Sequence, residues 1–206
     1  MSIVNTLDRI AEWVEKEICP EIKLKVPPDH FSDEDAIGYD YKTENPSVFI
    51  QFFPTKDKLP PGILSEHPGI CVLCTGGEEG RTEGKADIQL TLSSWDPGFH
   101  GKDIYIPEKN DNLNVKQWSG VEAENYYKRS YEGWRDAWNM VDIALRKIES
   151  VTNINGLLID AKTPIKYGQI QEQGAVIDFY PLWFAWIGFS VRYPISRNIE
   201  GLEELL

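Results

Sequence analysis

Residues 133–151 read GWRDAWNMVDIALRKIESV. Trp134, Ala137, Trp138, Val141, Ala144, Leu145 and Ile148 recur at three- and four-residue spacing, so they fall on one helical stripe. Arg135, Asp136, Asp142, Arg146, Lys147 and Glu149 take the other side. Residues 153–156 read as the stop, because Asn and Gly accept the left-handed conformation that ends a helix. A helix with one apolar face needs a sheet to bury it, and strand-like runs flank this one on both sides. No polar residue interrupts its stripe to mark a chemical role. The stretch decides the fold and no reaction.

Working outward, residues 2–19 predict a second amphipathic helix. Ile3, Leu7, Ile10, Ala11, Val14 and Ile18 form its stripe; Ser2 can cap its start and Pro20 helps stop it. Its polar face is not basic, which favours core packing over a membrane surface. Strand character appears at 47–53, 70–75, 86–95, 157–160, 175–180 and 182–193. Residues 182–187 are apolar on both faces, as in a strand covered on both sides, and Pro181 before them predicts a bend, a bulge or an edge. The connection at 76–85, GGEEGRTEGK, reads as the long mobile tip of a hairpin. Residues 96–130 lack periodicity and exceed ordinary loop length, while Phe99, Tyr105, Trp118, Tyr126 and Tyr127 give the segment a docking character. The element order implies an α+β fold: a largely antiparallel sheet of about five or six strands with two main helices on one face. It reads as a single domain over 1–206, with a long insertion at about 96–130.

Composition narrows the function classes. The apolar fraction of 41% and charged fraction of 26% are those of a soluble globular chain. A net charge of −12 argues against tight nucleic-acid binding and against anionic lipid. The most apolar run, 182–191, is half of what a membrane-spanning helix needs, and the first residues show no signal-peptide pattern. Three cysteines, an odd count, point to reduced thiols in a cytosol.

Cys71 and Cys74 have CxxC spacing and are weak candidates for a metal. They lie in an apolar β-like run, where positions three apart point to opposite faces, and only Cys19, His67 and His100 remain as further ligands. Buried structural cysteines are the preferred reading. His30, His67 and His100 stand in no nucleophile motif. The glycines at 76–84 lack a phosphate loop's Gly-Lys-Ser/Thr ending, and Asp33-Glu34-Asp35 lacks the ligand spacing of a calcium loop. No catalytic residue, cofactor or metal is expected.

Order and character together resemble the phage tail-terminator proteins, also described as tail-completion, minor tail or head-tail joining proteins. The resemblance lies in the N-terminal helix through Ile18, the Pro46-Ser-Val-Phe-Ile strand, the alternating ADIQLTLSSWD strand, the aromatic-led helix GWRDAWNMVDIALRKI and the closing strand ending Val191-Arg-Tyr-Pro194. It implies a non-enzymatic structural protein of a phage or prophage. Such a protein assembles in the host bacterial cytoplasm into a homo-oligomeric, hexameric ring on the virion tail. The ring caps the tail tube and meets head-tail connector proteins. On that reading the 76–85 hairpin and the insertion face neighbouring subunits, with Arg81, Glu83, Lys85, Phe99, Tyr105 and Trp118 as interface candidates. Two rivals come from other classes: a hydrolase-type enzyme whose acids converge only in space, and a carbohydrate- or protein-binding module using exposed Trp. Convergent acids in a deep pocket would favour the first and a row of exposed Trp rings the second. Apolar patches on opposite flanks would favour a ring, because head-to-tail contacts use two different surfaces.

Overall fold

A computed structural model describes residues 2–27, 42–96, 133–172 and 179–195 in full, and 103–107, 113–117 and 175–176 as backbone. The first helix, α1 (Ile3–Glu17), starts where the Ser2 Oγ accepts a hydrogen bond from the Asn5 N–H. It gives way to a 3₁₀ turn at Cys19–Glu21, with Pro20 inside it. Two short strands, β1 (Leu24–Lys25) and β2 (Thr43–Glu44), pair antiparallel beside the main sheet. The main sheet begins with β3 (Ser47–Ile50), β4 (Gly69–Glu79) and β5 (Glu83–Trp95). Two strands of the insertion, β6 (Asp103–Pro107) and β7 (Leu113–Gln117), form a ladder of their own. Helix α2 (Trp134–Glu149) follows, then β8 (Asn153–Ile154), β9 (Leu157–Ile159), β10 (Lys166–Gln169), the small pair β11 (Gln171–Glu172) and β12 (Ala175–Val176), and finally β13 (Leu182–Pro194).

The main sheet has seven strands in the order β3-β4-β5-β13-β9-β8, with β10 also paired to β13. The fold is α+β, with two corrections to the sequence reading. The sheet is mixed rather than largely antiparallel, because β3 runs parallel to β4; the 51–68 connection carries the chain back across before β4 starts. It also has one strand more than expected. The centre is the β5–β13 ladder, in which every residue from Leu182 to Pro194 has a partner between Trp95 and Glu83. The far side of β13 is shared. Its residues 185–188 pair with β10, and Val191 and Arg192 pair with β9.

Alternation along these strands sorts the faces. Ile70 and Val72 of β4, Ala86, Ile88, Leu90 and Leu92 of β5, and Ala185, Ile187, Phe189 and Val191 of β13 point to one side, and all are buried. Leu7, Ile10, Trp13 and Val14 of α1 cover this side together with Ala137, Met140, Val141, Ala144 and Ile148 of α2. The α2 stripe is rotated from the expected one. Met140 is buried and Trp134 is exposed, its ring carrying the Arg135 guanidinium 5.0 Å from its centre.

The stop signal also works differently. Helix α2 ends at Ser150, and Asn155 and Gly156, both at positive φ, instead make the two-residue turn between β8 and β9. Asn153 Oδ1 accepts from Gly156 N at 2.7 Å, and Arg9 and Asn155 exchange two further bonds that tie this turn to α1. The 76–85 segment is not a long tip: β4 runs on to Glu79 and β5 starts at Glu83, leaving 80–82 as the turn. The longer strands are possible because a β-bulge at Thr75 re-aims the chain and the glycines fit beneath neighbours. Gly84 sits under the buried Tyr193 ring, where a Cβ would collide. Of the strand expected at 175–180, Ala175–Val176 is present, paired with β11.

Because the main core lies between the sheet and the helices, Leu90→Ala removes fully buried methyls and is expected to cost about 2–5 kcal/mol by chemical denaturation. Leu158→Ala, exposed on the other face, should stay within about 0.5 kcal/mol. Equal losses would contradict that placement of the main core.

Candidate functional site

The face turned away from the helices has two ends of different chemistry. At one end, the row Phe49–Cys71–Thr91–Trp186 runs across four strands, and Gly69, Ser93 and Phe184 form the next row. The chain leaves β3 through Gln51, which has φ 72°, and brings Phe53 back over the sheet. Phe53 lies 5.8 Å from the Phe49 ring, 5.8 Å from His67 and 6.3 Å from Phe184, and Phe184 meets Phe179 at 5.1 Å. These edge-on and tilted contacts make a small second core.

His67 Nδ1 and the Ser93 Oγ share a hydrogen bond inside it, and the Ser65 Oγ accepts from the His67 N–H. Burial pushes the imidazole down to about 4, so it is neutral at neutral pH. A serine beside a histidine is half of a nucleophilic site. Here both are buried and aromatic rings occupy the space around them, so the bond closes a polar pair within an apolar cluster. Sequence reading missed the pair because 26 residues and no motif separate its members.

At the other end the rows are polar: Gln89 with Gly188 and Lys166, then Asp87 with Ser190, then Glu78 with Lys85, Arg192 and Leu158. Asp160, just past β9, collects this end. It accepts from the Thr163 hydroxyl at 2.8 Å and the Lys162 N–H at 3.2 Å, and it faces Lys85 Nζ at 3.4 Å and Arg192 Nη2 at 3.1 Å. The Thr163 hydroxyl bond, backed by the Lys162 N–H and the two cations, holds the Asp160 carboxyl down at about 2 against the opposing effect of desolvation. Arg192 reaches Glu83 as well, at 3.0 Å, and the Ser190 hydroxyl donates to Asp87. A cleft of about 340 Å³ opens beside this network, lined by Lys85, Asp87, Gln89, Lys166, Trp186 and Ser190 among others. The Trp186 N–H donates to the Gln169 carbonyl at 3.1 Å.

A third cluster stands at the start of α2. Gly133 packs so closely on the Trp183 indole and on Asp96 that a Cβ would overlap both. Trp183 donates to the Asp96 carbonyl at 3.0 Å, and Lys25 pairs with the Asp96 carboxylate at 3.0 Å. Asp136, placed on the wet side by its spacing, is half-buried here. Burial and then the Asp96 charge raise its carboxyl above the usual range, with Lys25 opposing.

Among the described residues, the others singled out in the sequence do not gather. Cys71 shares a row with Thr91 on the outer face and Cys74 pairs with Ile88 on the helix side, so the two thiols diverge. Burial raises Cys71 to about 11 and Cys19 to about 12, well away from reactive thiolates. Among the described residues no three His, Cys, Asp or Glu side chains are grouped to hold a metal. Trp13 and Trp95 are buried, Trp138 stacks edge-on against Tyr167 at 6.2 Å, and Trp183 and Trp186 are half-buried, so the described rings form no exposed row.

Of the interface candidates, Arg81 is exposed in the 80–82 turn, Glu83 is held by Arg192, and Lys85 turns inward to Thr163 and Asp160. Tyr105 lies on β6 opposite Val115, with its side chain outside the described residues; Phe99, Trp118, His30 and His100 lie outside them too. Comparison with protein-family models gives no match, and neither does comparison with curated proteins. No helix among the described residues is long and apolar enough to cross a membrane.

Asp160 has a folded-state pKa below its ordinary value near 3.9, so its contribution is complete above about pH 4 and fades as pH falls toward about 2. Acid titrations of unfolding midpoints should show this loss for the wild-type chain and a flatter curve, starting lower, for Asp160→Asn. Superimposable curves would show that the network contributes nothing.

Proposed function

We propose that the chain is a non-enzymatic structural subunit of a phage or prophage tail, resembling tail terminators. On this reading it forms a homo-oligomeric, hexameric ring at the head-proximal end of the tail tube and joins tube to head. The observation that carries the reading is the pair of unlike apolar flanks. At the β3 side, Phe52 is 67% exposed and Leu64 54%; at the β9–β10 side, Leu158 is 56% exposed and Tyr167 54%. Large side chains left open at both ends of one sheet suit head-to-tail contact, in which each copy offers two different surfaces.

The rest of the chain is consistent with that role. The most strongly perturbed groups, Asp160, His67, Cys19 and Cys71, serve packing or ion pairing rather than an accessible reaction centre. A net charge of −12 keeps free subunits soluble and removes any general grip on phosphate, which suits a channel that DNA must pass without sticking. The partners are then further copies of the chain, tail-tube subunits and head-tail connector proteins, meeting in the bacterial cytoplasm and persisting in the virion.

Light scattering of the purified chain over a wide concentration range tests the reading. The expected result is a species near six times the 23.6 kDa chain mass, seen as rings by negative-stain imaging. A 23.6 kDa species throughout, with no rings, would overturn it.

A further inference from the structure

Gly188 lies in the middle of β13, in a row with Gln89 of β5 and Lys166 of β10 on the outer face. A Cβ on it would meet nothing nearer than Trp186 Cζ3 at 3.5 Å, and its φ is outside the left-handed range. Neither packing nor backbone conformation demands a glycine there. Gly168, opposite Trp186 on β10, differs: a Cβ on it would crowd three atoms of the indole at 3.3 Å. Glycine inside a strand weakens it, and often marks a place where another molecule approaches the backbone. The missing side chain at Gly188 leaves the floor of the 340 Å³ cleft bare.

We propose that this cleft binds a neutral six-membered sugar ring, seated over Gly188 between Trp186 and the Asp87–Ser190 pair. The ring assembly is not needed for it, and each reading can fail without the other. Three features select this ligand.

The first is size. About 340 Å³ is at the small end of ligand sites, room for one sugar ring rather than a chain of them.

The second is the wall. Trp186 is half-buried beside Gly188, with its indole over Gly168 and its N–H fixed on the Gln169 carbonyl. A positioned aromatic wall suits the C–H surface of a sugar, which a small inorganic ion lacks.

The third is the arrangement of charge. Lys85, Asp87 and Lys166 line the cleft. Asp160 balances Lys85 at 3.4 Å, and Asp87 and Lys166 are opposite in sign. A simple anion would meet the Asp87 carboxylate as well as the lysines, so the cleft has no excess charge to select it. Asp87 and Lys166 are anchored on β5 and β10, two strand spacings or about 10 Å apart. An amino acid carries its two charges on neighbouring atoms and cannot reach both. A sugar carries hydroxyls around its whole edge. One can donate to Asp87, which already accepts from Ser190, while another accepts from the Lys166 ammonium and a third donates to the Gln89 carbonyl oxygen.

Saturation-transfer NMR tests the site with methyl glucoside, methyl galactoside, methyl mannoside and N-acetylglucosamine as probes. At least one should bind with a Kd on the order of 1 mM, the range a ligand this small reaches. Gly188→Val fills the floor with a residue that suits a strand, and should weaken that sugar at least about tenfold while the unfolding midpoint holds or rises. If the valine variant fails to fold by circular dichroism, Gly188→Ala tests the same floor with a smaller loss. Lys166→Met should weaken binding as well, by about threefold or more. No saturable sugar signal up to about 50 mM overturns the site. So does a sugar that binds the Gly188 variant as tightly as the wild-type chain. Glutamate or inorganic phosphate bound in a Gly188-dependent way, with no sugar bound, overturns the ligand class.

Discussion

The thirteen-residue ladder between β5 and β13 is the constraint on which the other features depend. Its register assigns every side chain of both strands to a face. Ala86, Ile88, Leu90 and Leu92 meet Val191, Phe189, Ile187 and Ala185 under the helices, and Lys85, Asp87 and Gln89 meet Arg192, Ser190 and Gly188 on the other side. A slip of one residue would turn those charges into the core, so the apolar face and the polar face enforce the same register. Asp160 adds a clasp, because it engages Lys85 of β5 and Arg192 of β13 at once. Close packing does the same at the far end, where Gly133 admits Trp183 against the start of α2.

The outcome is a domain finished on one side and unfinished at its margins. The helix side is sealed by side chains from both helices. The outer side is covered at its aromatic end by Phe53 and Phe179 and left polar and clefted at the other. The buried His67–Ser93 bond belongs to that aromatic end, where it fixes the loop before β4 onto β5. Phe52 and Leu64 at one end of the sheet, and Leu158 and Tyr167 at the other, stay exposed, and the proposed ring gives these side chains a physical use.

Much of the frame was legible because it rests on periodicity. The stripes of both helices, the alternation at 86–95 and the doubly apolar 182–187 run follow from short-range spacing, and the divergence of Cys71 and Cys74 follows from period two. What was not legible depends on long-range partners. The parallel β3–β4 pair, the rotation of α2 that buries Met140, and the use of Asn155-Gly156 as a hairpin turn are set by neighbours far along the chain. Glycine and charge at 76–85 looked like a tip; pairing with β13 through β5 makes it strand instead. The Asp160 network had one local trace, an Asp three residues before Thr163 and followed by Pro164, which reads as a side-chain-stabilised turn. Its cations come from two distant strands and left no trace.

The central claim is that the register-locked β5–β13 ladder is the rigid centre on which the rest of the domain is hung. Hydrogen exchange, compared between dilute and concentrated protein, tests it most directly. Amides within β5 and β13 should exchange slowest at both concentrations. Those of the two-residue pairs β1–β2 and β8–β9 should exchange faster at both. Exchange in the middle of β5 and β13 as fast as in these short pairs would contradict the account.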